Sequence, residues 1–434
     1  MPRCATGGLL GNMNLDHRVV VGEREVWGGT APFTLGRADR RQHTYVVGKT
    51  GTGKSTLLRN MILADIEAGE GVGLIDPHGD LVQELLDHIP PRRVRDVVLF
   101  DPTDRDYPVG FNLLRSAPKE RSHLVASGVV SAFKSVWRDS WGPRLEYLLY
   151  ASIAALACVE NATILGAQRI VTDPAYRRWV LRQVDDPMVR AFWETEFESW
   201  DPRFLAEVIA PMQNKVGQLV MSPVIRNIVG QVRSRLKLRD VMDRKGIFIA
   251  NLSKGQLGED KSALLGAMLV SAFELAAMSR AEQSAGEWNH WFLYVDEFQN
   301  FATDSFATIL SEARKYGLGL TLSHQYTSQL QPAVRDAVFG NVGTIISFRV
   351  SESDASLLAR EYGDIAPSAF SDLANFEARV RPVHDGQHVL VHTLPPTGTW
   401  HGRRESIRNW SRTAYGTPRR KVESRIEGWI RSRR

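Results

Sequence analysis

Cysteine is nearly absent: Cys4 and Cys158 are the only two in 434 residues. Two distant thiols give neither a disulfide framework nor a thiolate metal site, and they fit a reduced, cytoplasmic setting. Long apolar runs are missing too. The longest, Tyr147 to Val159, ends at Glu160, short of the ~20 residues a membrane-spanning helix needs. The start, MPRCATGGLLGNMNLD, holds no extended apolar core, so it does not read as a secretory leader. The sequence has no internal repeat and no low-complexity tract. Nor is there a His/Cys cluster. His384, His388 and His392 alternate along a strand-like segment and read as a surface stripe, a metal site being the alternative.

What is present is ordinary globular material, 43% apolar and 24% charged, long enough for two or three domains. The net charge of +5 is unevenly placed. From His401 onward the chain carries eleven Lys/Arg against three Asp/Glu, so the basic character sits in the tail. Such a tail suits contact with nucleic acid or acidic lipid, or a plain solvated helix.

Alternation sets the fold class. HTYVVG (His43–Gly48) is a short buried strand, and STLLRNMILADIEAG follows at helical spacing. GVGLIDP and VRDVVLFDP are two further strands. Strand–helix alternation predicts an α/β fold, a mostly parallel sheet covered on both faces. Strand signals then nearly vanish from about 116 to 239, where Ala, Leu, Arg and Trp recur at helical spacing. Alternation resumes at GIFIANL. ARVRPVHDGQHVLVHTL reads as a hairpin around Asp385-Gly386 on a sheet edge.

Three glycines in six residues interrupt the first strand–helix junction. Gly48-x-x-x-x-Gly53-Lys54-Ser55 is the phosphate-binding loop pattern. Its backbone N–H groups form an anion nest at a helix N-terminus. The residues expected to bind nucleotide are Gly48, Lys49, Thr50, Gly51, Thr52, Gly53, Lys54, Ser55 and Thr56. Lys54 would reach the β/γ-phosphates, and Ser55 would bind Mg²⁺. WFLYVDEF supplies the acidic strand end that such a site requires: Asp296 to order Mg²⁺ and Glu297 to polarise the attacking water. The expected cofactors are therefore ATP and Mg²⁺. LIDPHGDL puts Asp76, His78 and Asp80 at another strand's C-terminal end, either as site residues or as a tight turn.

Together, VVGKTGTGKSTLL, GLIDPHGDL, YVDEFQNF, SEARKYGLGLTLSHQYTSQL and FGNVGTIISFRVSESDA resemble the TraD/TraG-type conjugative coupling proteins, in the HerA/FtsK branch of P-loop motors. The resemblance implies a RecA-like P-loop ATPase with an all-helical insertion, forming a ring and translocating DNA. It also implies that Arg314 acts as an arginine finger toward the neighbouring subunit's nucleotide, with Arg349 a weaker second. Gln325 would sense the γ-phosphate. A homo-hexamer is implied, as are relaxase or secretion-channel partners. About 42 residues precede the first expected core strand and none reads as a membrane span, so no direct membrane insertion is expected.

The expected organisation is a segment 1–42 with short strands, ATPase parts at 43–115 and 240–400, the insertion at 116–239, and a basic C-terminal helix at 401–434. DNA phosphates would meet basic residues such as Lys215, Arg226, Arg233, Arg235 and Lys237. Trp137, Trp141, Trp179, Trp193 and Trp200 are either core or stacking platforms for bases. In TPRRKVESRIEGWIRSRR, Thr417 would cap a helix, Pro418 take its first position, and Val422, Ile426, Trp429 and Ile430 share a face that docks on a neighbouring subunit. Two other readings use the same nucleotide site: an assembly ATPase of a secretion or pilus apparatus acting on protein, and a nucleotide-gated scaffold.

Overall fold

The computed structural model describes residues 17–283, 288–303, 306–383 and 387–432. Cys4, His384 and the Asp385-Gly386 turn lie outside them. Eleven strands form one sheet: β1 (Val19–Val26), β2 (Gly29–Leu35), β3 (Thr44–Val47), β4 (Gly71–Asp76), β5 (Val97–Phe100), β6 (Ile247–Asn251), β7 (Trp291–Val295), β8 (Leu318–His324), β9 (Thr344–Ser347), β10 (Glu377–Arg381) and β11 (Val389–Thr393). Their spatial order is β2-β1-β11-β10-β9-β3-β8-β7-β4-β6-β5. The seven strands from β9 to β5 pair in parallel, and the four on the other side pair antiparallel.

The parallel strands are buried on both faces, so they read as continuous apolar runs. Tyr45 and Val47 point into one core, and Val46 points into the other. The first core joins the sheet to a long helical segment, which runs from Leu113 to Asp243 without a strand among the described residues. The second packs the helix Lys54–Glu67 against the opposite face. Between sheet and helical segment lies the helix Glu259–Met278, where Phe273 stacks on Trp291 with ring centroids 4.9 Å apart. The segment Glu259–Glu282 is long and apolar enough to cross a membrane, but 83% of its apolar window is buried inside the fold.

Three expectations are revised. Strands β1 and β2 lie in the N-terminal segment and extend the main sheet. The β10–β11 hairpin is therefore interior: β11 pairs with β1. The tail forms two helices, Arg404–Ala414 and Arg419–Arg431, and both pack on their own chain. The first closes the β5 edge: the Ser411 hydroxyl accepts from the Leu99 N–H (3.0 Å) and donates to the Leu99 carbonyl (3.1 Å). The unpaired N–H and carbonyl of Leu99 on this edge strand are thereby satisfied. The second buries Val422 and Ile426 and sets Trp429 edge-on to Tyr176 of the helical segment. Finally, Thr417 makes no cap and Pro418 occupies the cap position, while Ile430 is 60% exposed.

Candidate nucleotide site

The loop after β3 is fixed by its neighbours before any side chain acts. The Gly48 N–H donates to the His324 carbonyl and the Lys49 N–H to the Arg349 carbonyl (2.8 Å), tying the loop to the ends of β8 and β9. A Cβ on Gly48 would stand 2.6 Å from Phe348 Cβ. Gly53 holds φ +119° as it opens the helix Lys54–Glu67, a conformation that L side chains resist. The Thr52 hydroxyl donates to the Lys49 carbonyl at 2.7 Å. The Lys54 ammonium, 6% exposed, donates to the carbonyls of Gly48 (2.6 Å) and Lys49 (3.0 Å). Burial lowers its pKa, while Glu297 and Asp296 act in the opposite direction. Ser55 is exposed and Thr56 half-buried in the helix's first turn.

β8 lies between β3 and β7, so the C-terminal ends of all three strands face one site. Asp296 and Glu297 follow β7 and are each 6% exposed. Burial, then Asp76 and Glu297, raise the Asp296 carboxyl to about 6. Its Oδ1 is buried with no hydrogen-bond partner. An orphaned buried carboxylate oxygen at the end of β7 is a hard donor of the kind that matches Mg²⁺, which is held by one or two carboxylates together with substrate phosphates. The oxygens of Asp76 accept from the N–H groups of His78 (2.8 Å) and Val82 (3.2 Å), building the turn, and its charge helps to raise the Asp296 pKa. His78 and Asp80 are exposed.

Glu297 adopts φ +45°, which turns its side chain off the strand direction. Gln299 Nε2 donates to its Oε2 (2.7 Å) and Gln325 Nε2 to its Oε1 (2.9 Å). The Gln325 carbonyl oxygen accepts from the Thr50 hydroxyl at 3.0 Å. One amide thus connects the phosphate-binding loop to the acidic strand end.

Arg314 stands elsewhere. It is exposed, just before β8 begins, and so lies at the sheet edge opposite its own phosphate-binding loop. It lines a recess of about 500 Å³ with Gln42, Arg360 and Arg381. Arg349 sits at the loop instead, its guanidinium donating to Leu373 O (3.4 Å) and Asn375 Oδ1 (2.9 Å) of its own chain. Sequence reading missed Gln299, Arg360, Arg381 and Phe376; isolated polar residues and a left-handed φ leave no local signature.

The basic residues divide. Lys215 is buried, Arg226 donates to Val220 O (3.2 Å), and Arg235 donates to Thr413 O (3.1 Å). Arg233 and Lys237 are exposed and share a recess of about 480 Å³ with Arg115 and Arg239. Arg233 also lines an adjoining recess together with Arg425 of the C-terminal helix. The tryptophans are packing residues. Trp193 is fully buried, Trp137, Trp141, Trp179 and Trp200 pack against the core, and Phe192, Trp193, Phe197 and Trp200 form one aromatic cluster. His392 faces Glu377 (3.7 Å), and no metal-binding group of three or more His, Cys, Asp or Glu occurs among the described residues.

Residues 28–176 match the family model of the type IV secretion-system coupling protein DNA-binding domain. No curated protein matches the chain in sequence. Among solved structures, the chain is similar to the plasmid coupling protein TrwB in complex with a non-hydrolysable ATP analogue, at 16% identity over 88% of this chain and 92% of that one, TM-score 0.63. TrwB with ADP and Mg²⁺ gives 16% identity, 89% and 96% coverage, and TM-score 0.62. VirB4 of Thermoanaerobacter pseudethanolicus gives 13% identity, 87% and 96% coverage, and TM-score 0.54. The chain therefore shares the fold of these coupling-protein structures, a mostly parallel α/β sheet with a helical domain, and its residues 28–176 match the coupling-protein DNA-binding-domain model.

Proposed function

We propose that this protein is a coupling-protein-type motor that hydrolyses ATP with Mg²⁺ to drive DNA, working as a cytoplasmic ring of six copies. The observation that carries the hydrolytic part is the Thr50–Gln325–Glu297 chain of hydrogen bonds. It gives a γ-phosphate sensor direct mechanical contact with the general base. Lys54 and the loop N–H groups hold the phosphates, and Ser55 and Asp296 hold Mg²⁺, which offsets phosphate charge when bound. Glu297, held between two amide donors, orients the attacking water.

Arg314 supports the oligomeric part. An exposed guanidinium at the opposite sheet edge is too remote to serve its own nucleotide, yet it is free to meet another copy's. A fixed planar charge is suited to stabilising phosphoryl oxygens in trans. Arg233, Lys237 and Arg425 are the favoured phosphate contacts for DNA, gripping backbone rather than bases. The division into an ATPase body, a helical insertion at about 116–239 and a basic tail belongs to the same reading, as do relaxase or secretion-channel partners.

The test is Mg²⁺-dependent ATP hydrolysis with and without DNA across a salt series. Stimulation that falls steeply with salt, and whose log–log slope drops by about 2 in the Arg233→Ala/Lys237→Ala double variant, supports the DNA motor. A robust rate indifferent to DNA would replace it with a motor acting on protein.

A further inference from the structure

Phe376 has an unusual setting. It is a bulky aromatic residue held at φ +67°, a conformation that is strained for any residue with its side chain. The residue is 45% exposed, although it belongs to a segment fixed on three sides. Its N–H donates to the Thr52 carbonyl of the phosphate-binding loop at 2.8 Å, and its carbonyl accepts from the Thr393 N–H at 2.8 Å. The Thr393 hydroxyl adds a second bond to that carbonyl at 3.0 Å. Arg349 grips the preceding residues Leu373 and Asn375, and its own carbonyl is bonded to the Lys49 N–H. The strap 373–376 and the loop 48–53 therefore form one rigid unit.

The outcome of that strain is the placement of the ring. A Cβ on Gly53 would stand 3.0 Å from Phe376 Cδ1 and 3.1 Å from the buried Phe348 ring. The loop's closest approach to the helix N-terminus is thus walled on one side by an aromatic face. Nearly half of the residue stays in solvent beside the phosphate cradle, so a flat apolar surface lying there would bury it.

We propose that Phe376 is the base-stacking residue of this nucleotide site: the nucleobase of a bound nucleoside triphosphate lies against its ring while the loop 48–55 holds the phosphates. This rests on the nucleotide-binding reading and adds what the loop alone does not supply, contact with the base. Stacking tolerates any base with a π-face, so the site takes nucleoside triphosphates with little preference between adenine and guanine.

Calorimetric titration of the full chain with Mg²⁺ and ATP, GTP or inorganic tripolyphosphate separates base from phosphate recognition. Phe376→Ala is expected to weaken ATP and GTP at least tenfold each and leave tripolyphosphate within twofold, while Phe376→Tyr stays near wild type for all three. Equal weakening of ATP and tripolyphosphate in Phe376→Ala would overturn the proposal in favour of a strap that merely shapes the loop. Unchanged ATP affinity would overturn it outright. Wild-type protein that binds neither ATP nor tripolyphosphate would overturn the nucleotide reading together with this one, a pattern distinct from either of the others.

Discussion

Gln325 donates its amide to the Glu297 carboxylate at 2.9 Å while its carbonyl oxygen holds the Thr50 hydroxyl at 3.0 Å. Two segments 28 residues apart in sequence, and a loop 275 residues from Gln325, meet because β8 is inserted between β3 and β7. Any ligand that engages Thr50 or the Gln325 amide changes the hydrogen bonding of Glu297.

Gln325→Ala follows from this directly. Glu297 keeps its bond to Gln299 but loses the donor that orients it toward the loop. Turnover is expected to fall about 100-fold, the scale of a misplaced general base, with ATP affinity within a few-fold of wild type. Single-turnover hydrolysis beside equilibrium binding checks both halves; a variant that loses affinity and keeps turnover would show Gln325 to be a binding residue only.

Arg314 and Lys54 test hydrolysis between subunits. Each alanine variant alone is expected to be inactive. Mixed in equal amounts, they are expected to regain a measurable fraction of activity, because some interfaces then pair an intact loop with an intact arginine. No recovery on mixing, with oligomers shown to exchange subunits, would place Arg314 outside the reaction.

His43 makes the fold sensitive to acid. Its Nδ1 accepts from the Leu320 N–H and its Nε2 donates to the Leu310 carbonyl, both at 3.0 Å, so the buried ring is neutral in a single tautomer. Burial lowers its pKa from 6.5 to about 4. The unfolded chain takes up the proton first, so this contribution to stability is complete above pH 6.5 and is lost as pH falls toward 4. The slope approaches ~1.4 kcal/mol per pH unit in that window. Urea denaturation at pH 7, 6 and 5 should show a shallower decline in His43→Asn than in wild type; parallel declines would remove His43 as the cause.

Arg40 ties the N-terminal segment to the nucleotide-binding half. It is 1% exposed, donates to Asp65 on the helix Lys54–Glu67 (2.7 Å) and to the Tyr294 hydroxyl of β7 (2.9 Å), and lies 3.8 Å from the Phe292 ring centroid. Arg40→Ala leaves Asp65 buried without its guanidinium partner, a loss of about 3–5 kcal/mol. A loss of stability of that size is expected on denaturation, and a change under about 1 kcal/mol would mean that the remaining partners of Asp65, His17 Nε2 (3.1 Å) and the Tyr294 hydroxyl (2.8 Å), suffice for it.

These residues show where sequence reading succeeds and stops. The parallel strands announce themselves because burial on both faces leaves continuous apolar runs such as TYVV and WFLYV. The phosphate-binding loop is legible because its chemistry demands glycine at fixed spacing. The place of β11 in the sheet was not legible: β1 covers its edge from some 370 residues away in sequence, and alternation looks the same in an edge strand and in an interior one with mixed faces. The tail's docking was missed for a related reason. Val422 and Ile426 mark an apolar face, but nothing local says whether that face meets its own chain or another. Phe376 was missed because a strained φ is set by tertiary hydrogen bonds.

The most direct measurement of the central claim is the ATP hydrolysis rate per subunit against protein concentration, with and without single-stranded and duplex DNA, for wild type, Glu297→Gln and Arg314→Ala. The account predicts a rate that rises cooperatively with concentration, rises again with DNA, and collapses in both variants. A rate per subunit independent of concentration, unmoved by DNA and retained in Arg314→Ala would contradict it.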